Sequence, residues 1–591
     1  MGMPRLPALV WLKTYDRTAL GDDLMASVIV TIMLIPQSLA YAMLAGLPPE
    51  AGLYASMLPL VAYAAFGSSR ALAVGPVAVI SLMTATTLAE VVAAGHGSYG
   101  DAAMVLALLS GLFLVLLGVL RMGFLANFLS HAVIVGFVTA SGLLIAVGQL
   151  RYLLAVDGEG HNVFAMAASL ITKVPATHLP TLLIGVGAIL FLLFVRSRLG
   201  PLLLRLGMRP RLVAYATRAG PVLAVIASIV LVGALGLAAR GVPVVGDVPA
   251  GLPSLHLPVP DLALVLALLP SAVLISVVGF VESISVAQSL AMRRRQRVVP
   301  DQELVGLGAA NLAAGLSGGF PVTGGFTRSV VNFDAGAVTP MAGVFTAVLM
   351  GLTAAFLTPV FHDLPKAVLA ATIIVAVLSL VDLGAIRRTW RQAPGDFAAL
   401  AATMIGVLTV GIEAGIVLGI TVSLSIHLWR SSRPHIAVVG RVPGTEHFRN
   451  VDRHAVQVCA TLLSVRVDES LYFANARFLE DRLLELVTAR PEVKDVVLLC
   501  SAVNGIDGSA VETLESINER LRVAGVRFHL SEVKGPVMDT LKRTDLLTHL
   551  SGEVFFTQHD AMQALAGEAP VEPDRDRPAT RAALAGAPGR D

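Results

Sequence analysis

The stretch GGFPVTGGFTRSVVN, Gly318–Asn332, decides how this chain is read. Its paired glycines and Pro321 break any regular helix, yet apolar runs of span length lie on both sides of it. Directly after the break stands a guanidinium, Arg328. A second break of the same kind, Gly75-Pro76, opens a short apolar run in the first half of the chain. Short, interrupted hydrophobic segments at matching places in two halves point to an inverted repeat whose two discontinuous helices meet near the bilayer midplane.

The rest of the composition agrees with a membrane protein. Of 591 residues, 55% are hydrophobic and only 14% charged, and the mean hydropathy is +0.77. That is more apolar material than one soluble core needs. A membrane helix takes about 20 apolar residues, and roughly fourteen stretches approach that length. They are 24–45, 51–66, 75–94, 102–120, 124–150, 180–195, 221–239, 262–291, 303–317, 324–336, 341–358, 366–381, 396–410 and 412–429. The third and tenth are the broken ones. Met1–Asp23 lacks a short apolar core with a small-residue cleavage site, so no cleaved signal is expected and the first span serves as the insertion signal.

Charge placement supplies an orientation. With the N-terminus inside, the cytoplasmic loops hold Arg70, Arg121, the run Arg196, Arg198, Arg205, Arg209, Arg211 and Arg218, the cluster Arg293, Arg294, Arg295 and Arg297, then Arg387, Arg388 and Arg391. The opposite loops hold only Arg151, Lys173, Arg240 and Lys366. Such asymmetry is what the positive-inside rule requires. It places everything after Trp429 in the cytoplasm, which suits the two cysteines, Cys459 and Cys500, as free thiols.

Glu282 is the second charge inside an apolar run. Eleven residues separate it from Arg293, about 16 Å of helix, or half of a ~30 Å hydrocarbon slab. A charge at that depth costs roughly 2.5–3.5 kcal/mol on insertion scales and marks function by default. Its neighbours Gly279, Ser283, Ser285 and Ala287 are small and suit close helix packing.

After Arg433 the pattern becomes that of a soluble domain. Val456–Val467, Val493–Leu499 and Val526–Val533 are strand-like, and they alternate with amphipathic helices marked by Phe478, Leu479, Leu483 and Val487 and by Val511, Leu514, Ile517 and Leu521. Strands alternating with helices predict an α/β domain with a partly parallel sheet. The expected organisation is an N-terminal segment 1–23, a transport domain 24–430, a linker 431–446, a cytoplasmic domain 447–566 and a disordered tail 567–591.

Several motifs resemble a known family. PQSLAYAMLAGLPPEAGLYASMLPLVAYAAFGSSRALAVGPVAVISL, Pro36–Leu82, resembles the signature region of the SulP anion permeases. GFVESISVAQSLA (Gly279–Ala291) and Gly318–Asn332 resemble that family's second-half motifs. The segments LYFANARFLEDRL, VVLLCSAVNGID and LSEVKGPVMDTL are similar to its C-terminal STAS domain. The resemblance implies a polytopic α-helical membrane protein of fourteen spans in a seven-plus-seven inverted repeat, with half-helices at spans 3 and 10 and core and gate subdomains, and a cytoplasmic STAS domain. It also implies a homodimer in the lipid bilayer, here a bacterial inner membrane with both termini cytoplasmic.

By position, the resemblance implies anion contacts from Gln37 and Tyr41, from the Ala78 and Val79 backbone, from Ser81, and from Thr327 and Arg328. Glu282 is the implied coupling residue: paired with Arg328 in the empty site, it releases the arginine on taking up a proton. The expected activity is proton-coupled symport of sulfate or a related oxyanion by alternating access. C4-dicarboxylate/proton or bicarbonate/sodium symport on the same fold, and an uncoupled anion channel, stand as alternatives. No cofactor beyond the coupling proton is expected, sodium being the less favoured ion, and no nucleic-acid partner. In the STAS part Asn504–Ser509 matches the loop that regulatory relatives phosphorylate, but Gly508 occupies the phosphorylated position; Ser509, beside it, is assigned to capping the following helix, with regulation as the alternative. Metal-ligand spacing, a phosphate-binding glycine loop with Lys, and a G-x-S-x-G turn are all missing, so an enzyme is not expected.

Overall fold

The computed structural model describes residues 7–95, 97–128, 130–158, 160, 162–209, 213, 216–217, 219–566 and 572–573. The first six residues, Arg211 and Arg218 of the basic loop, and the tail expected to be disordered lie outside the described residues, apart from the two-residue strand at 572–573.

Apolar length becomes helix throughout the first part of the chain. Among the described residues, eight helices are long and apolar enough to cross a membrane: Arg17–Leu44, Tyr99–Val119, His131–Leu154, Leu179–Arg205, Leu262–Arg293, Met341–Phe361, Lys366–Gln392 and Ile412–Ser432. Ala78–Ala93, Val163–Ala176, Gly220–Leu235 and Pro394–Thr409 are apolar but shorter. The stretch 51–66 forms two pieces, Pro49–Tyr54 and Leu58–Phe66, each opened by a proline in its first turn.

Small residues bring these helices into backbone contact, the usual means of packing where no hydrophobic effect drives association. A Cβ on Gly111 of Tyr99–Val119 would stand 2.7 Å from the backbone nitrogen of Leu312, and one on Gly308 would stand 2.8 Å from the Gly111 carbonyl. The helix Pro300–Leu316 therefore lies directly against Tyr99–Val119.

At both breaks the chain extends for two residues before turning helical. Strand β1 (Val74–Gly75) pairs antiparallel with β2 (Thr323–Gly324), in the register Val74 to Gly324 and Gly75 to Thr323. Helix Ala78–Ala93 starts after two further residues and Phe326–Asp334 after one. One short ladder thus holds two helix N-termini side by side, more than 240 residues apart in sequence.

The chain divides into two compact units between Ser423 and Leu424, within the helix Ile412–Ser432. The second unit is built on one mixed sheet in the order β10-β5-β3-β6-β7-β8-β9. Here β3 is Ile436–Arg441, β4 Phe448–Asn450, β5 Gln457–Val458, β6 Leu462–Val467, β7 Asp495–Leu499, β8 Arg527–Ser531, β9 Val554–Phe555 and β10 Glu572–Pro573. Strands β6, β7, β8 and β9 run parallel, and β3 joins β6 antiparallel. The parallel part is as expected. Assigning 431–446 to a linker was wrong, because Ile436–Arg441 has an alternating burial pattern and forms a strand inside the sheet.

Candidate functional site

The two helix N-termini border a small cavity of about 50 Å³, enough for a few water-sized groups. Gln37 and Tyr41 reach it from the first long helix, Ala78 and Val79 from one broken helix, Thr327 and Arg328 from the other, and Glu282 from Leu262–Arg293. Neither broken helix has a side-chain cap, so the amides of its first turn are free of that competitor. Aligned peptide dipoles add about half a positive charge at each terminus.

Arg328 is 2% exposed. Its Nη1 donates to the Pro76 carbonyl at 3.0 Å, whereas Nε and Nη2 are buried with no partner. Buried guanidinium donors left empty are costly, and a carboxylate or oxyanion edge is the group that fits such a fork. Glycine makes room for the side chain. A Cβ on Gly325 would stand 2.9 Å from Nη2, and one on Gly75, whose φ is +155°, would stand 3.1 Å from Nη1.

Hydrogen bonds fix this arrangement to neighbouring helices. Thr323 Oγ1 donates to the Gly279 carbonyl at 2.6 Å, and Ser283 Oγ meets Thr323 Oγ1 at 2.6 Å while accepting from the Gly324 amide at 2.8 Å. Asn311 completes the Val322 backbone on both sides, accepting from its amide and donating to its carbonyl, each at 2.9 Å. From the second broken helix, Ser329 Oγ accepts from the Ala73 amide at 2.9 Å and Asn332 donates to the Ala71 carbonyl at 3.1 Å.

Comparison with known proteins agrees with the motifs. The model of the sulfate permease family matches residues 20–403, and that of the STAS domain matches 454–561. A probable sulfate transporter 4.2 of Arabidopsis thaliana is 36% identical over 571 residues, covering 94% of this chain and 83% of its own. The chain belongs to the sulfate permease family. A probable sulfate transporter, MT1781, of Mycobacterium tuberculosis is 34% identical to this permease over 94% of its length and 97% of the relative's. The fold is that of the murine Slc26a9 anion transporter, with a TM-score of 0.85 at 21% identity over 94% of this chain and 93% of that one. The permease is thus a multi-pass membrane transport protein of an anion-transporting family and not an enzyme.

Two expectations need correction. Ser81 does not border the cavity; it lies fully buried one turn further along its helix, with its hydroxyl unpartnered. Glu282 and Arg328 face the same cavity without an ion pair between them. The reason is geometric: the guanidinium is drawn to the Pro76 carbonyl and lies against the Gly75 and Gly325 backbones. A third correction concerns the second unit. The helix Gly508–Val523 is capped by Asp507, which accepts from the Ala510 amide at 2.9 Å, so Ser509 is exposed and is not the cap.

Asn311, Asp23 and Glu303 hold structural positions that their pattern does not distinguish, and Ser283 stands out in the sequence only as a small residue for helix packing. Glu303 is fully buried and accepts from Tyr63 Oη, the Ser68 hydroxyl and the Ser68 amide, each at 2.7 Å, and from the Ser69 amide at 2.9 Å. Asp23, also fully buried, accepts from the Val338 and Thr339 amides and from the Thr339 hydroxyl. Both are saturated with donors, as a structural buried acid must be. Their signal in the sequence was an acid beside a predicted span end, which a solvated loop would show equally.

Proposed function

We propose that this permease is a secondary active transporter of sulfate or a closely related oxyanion, working by proton-coupled alternating access. Fourteen spans in an inverted repeat, a cytoplasmic STAS domain and a homodimer in a bacterial inner membrane complete the reading. The observation that carries it is buried Arg328, left with two empty donors, on the wall of a cavity that also receives two helix N-termini and one carboxylate. A dianion entering there meets about +2 of positive charge: one from the guanidinium and about half from each helix. Glu282 would oppose it by −1. Taking up a proton at Glu282 removes that opposition, so proton and anion favour each other's binding and move together.

Size bears on substrate. The cavity of about 50 Å³ has room for a compact tetrahedral anion such as sulfate. The sulfate-transporter names of the relatives support the same choice. The test is radiolabelled sulfate uptake in proteoliposomes across an imposed pH gradient, with fumarate and bicarbonate as competitors. Wild-type protein should accumulate sulfate uphill when the exterior is acid. Glu282→Gln should leave downhill exchange and abolish the pH-driven component; uphill accumulation with an unaltered pH profile in that variant would refute the coupling role.

A further inference from the structure

A second, larger cavity of about 970 Å³ lies at the far end of the helix Ala78–Ala93 from the anion site. Ala89 and Glu90, on its wall, are exposed, so solvent reaches it. The two cavities nearly meet. Tyr41 and Val79 border the anion site, while Leu44 and Leu82, three residues on along the same helices, border the larger cavity. Three residues of helix rise only about 4.5 Å. Leu144 and Ile145 of His131–Leu154 also line the larger cavity.

Glu413 lines this cavity from the first turn of the helix Ile412–Ser432. It accepts from Ser271 Oγ at 2.9 Å, and it lies 3.3 Å from Thr87 Oγ1, whose single proton it shares with the Met83 carbonyl at 2.9 Å. Ser271 belongs to the helix that carries Glu282, and Thr87 to the helix whose N-terminus faces the anion. On its other side the Glu413 helix lies against Pro394–Thr409, where a Cβ on Gly415 would stand 2.4 Å from the Val407 backbone nitrogen. The carboxylate therefore spans two groups of helices. Among the described residues the other charged groups around the cavity are Glu90 and Arg151, and Arg151 donates to Tyr152 at 2.9 Å and stacks on its ring. Neutral hydroxyls are the donors that hold Glu413.

We propose that Glu413 is a positioning residue of the transport cycle, a latch that keeps the anion site sealed from the large cavity. Both hydrogen bonds must break before the helices bearing Ser271 and Thr87 move from the helix bearing Glu413 and the layer at Leu44 and Leu82 parts. The inference rests on the alternating-access reading above, because a latch matters only if the site opens toward this cavity.

The test is labelling of Val79→Cys by a membrane-impermeant thiol reagent in reconstituted full-length protein. Reagent is applied on the side from which Ala89→Cys is labelled, which shows that it reaches the cavity. The native thiols, Cys459 and Cys500, are buried and give a low background. Adding Glu413→Ala should raise the Val79→Cys rate about tenfold, the scale of losing a hydrogen bond to a charged group, and leave Ala89→Cys unchanged. Glu413→Gln, whose amide oxygen still accepts from both hydroxyls, should stay within about twofold of wild type. The double variant Ser271→Ala, Thr87→Val removes the latch from the opposite side and should reproduce Glu413→Ala, including where that variant fails to reconstitute. Equal Val79→Cys rates with and without the latch would overturn the proposal. Sulfate flux of protein that keeps Val79, read in parallel, separates the two ideas: a latch-dependent rate without pH-driven uptake defeats the symport reading alone.

Discussion

Arg328 is where the site's energetics concentrate. Three of its nitrogens are accounted for: one by the Pro76 carbonyl and two by nothing in the protein. A lysine there would keep the charge but present it as a compact ammonium on a flexible stem, without the planar fork. Arg328→Lys is expected to weaken sulfate binding by roughly 10- to 100-fold, and Arg328→Ala to abolish it, measured as radiolabelled sulfate bound to purified protein. The residue was legible in sequence because a guanidinium after a glycine break in an apolar run has few structural explanations. Glu282 was legible for the same reason. Its separation from the guanidinium was not, since that depends on a single carbonyl, Pro76, which no residue pattern reveals. Ser81 misled because one helical turn decides whether a hydroxyl faces a cavity, and a broken helix can start at any of several residues.

At the scale of elements, the ladder between β1 and β2 is the joint on which the site is built. Two residues a side give too few bonds to hold two helix ends by themselves, and side chains from other helices supply the rest. Ser283 is the most exacting of these, since its oxygen serves both the Gly324 amide and the Thr323 hydroxyl. Ser283→Ala strands a buried amide and should cost about 1–3 kcal/mol. The check is a lower unfolding temperature of the detergent-solubilised protein together with weaker sulfate binding. Ser283→Thr, which keeps the oxygen, should recover part of both. Gly75-Pro76 and Gly324-Gly325 announced the two short helices, because neither pair can continue a regular one. The strand β3 escaped notice: Ile436–Arg441 is short, follows directly on a long helix, and has its partner β6 some 26 residues away across a turn-rich stretch.

At the scale of the whole molecule, the two compact units bury charge for different purposes. In the first, the satisfied acids Asp23 and Glu303 tie loops to helices, while Arg328 is left with donors to offer. The second answers to pH and thiol chemistry through ordinary burial. Burial, aided by the charge of Glu532, pushes the Cys500 thiol up to about 12, so it stays protonated and unreactive in the folded domain. His529 on β8 is 1% exposed, and burial lowers its pKa from the ordinary 6.5. Its Nδ1 accepts from the Glu553 amide at 2.9 Å, so Nε2 carries the proton and donates to Asp495 at 3.1 Å. Arg527, paired with the same carboxylate, further disfavours a second charge on the ring. A proton added at Nδ1 would also face the Glu553 N–H donor to donor. Because the folded form holds its proton more weakly than the unfolded one, the unfolded chain binds more protons below about pH 6.5. Stability from this group is complete above that value and is lost as the pH falls through the folded pKa. Protection of the β8 amides against hydrogen exchange, corrected for intrinsic rate, should therefore decline from pH 7 to 5 in the full-length protein. His529→Gln removes the titration and should flatten that decline, even if its protection at pH 7 is lower. A decline as steep in the variant as in wild type would assign the pH response to some other group.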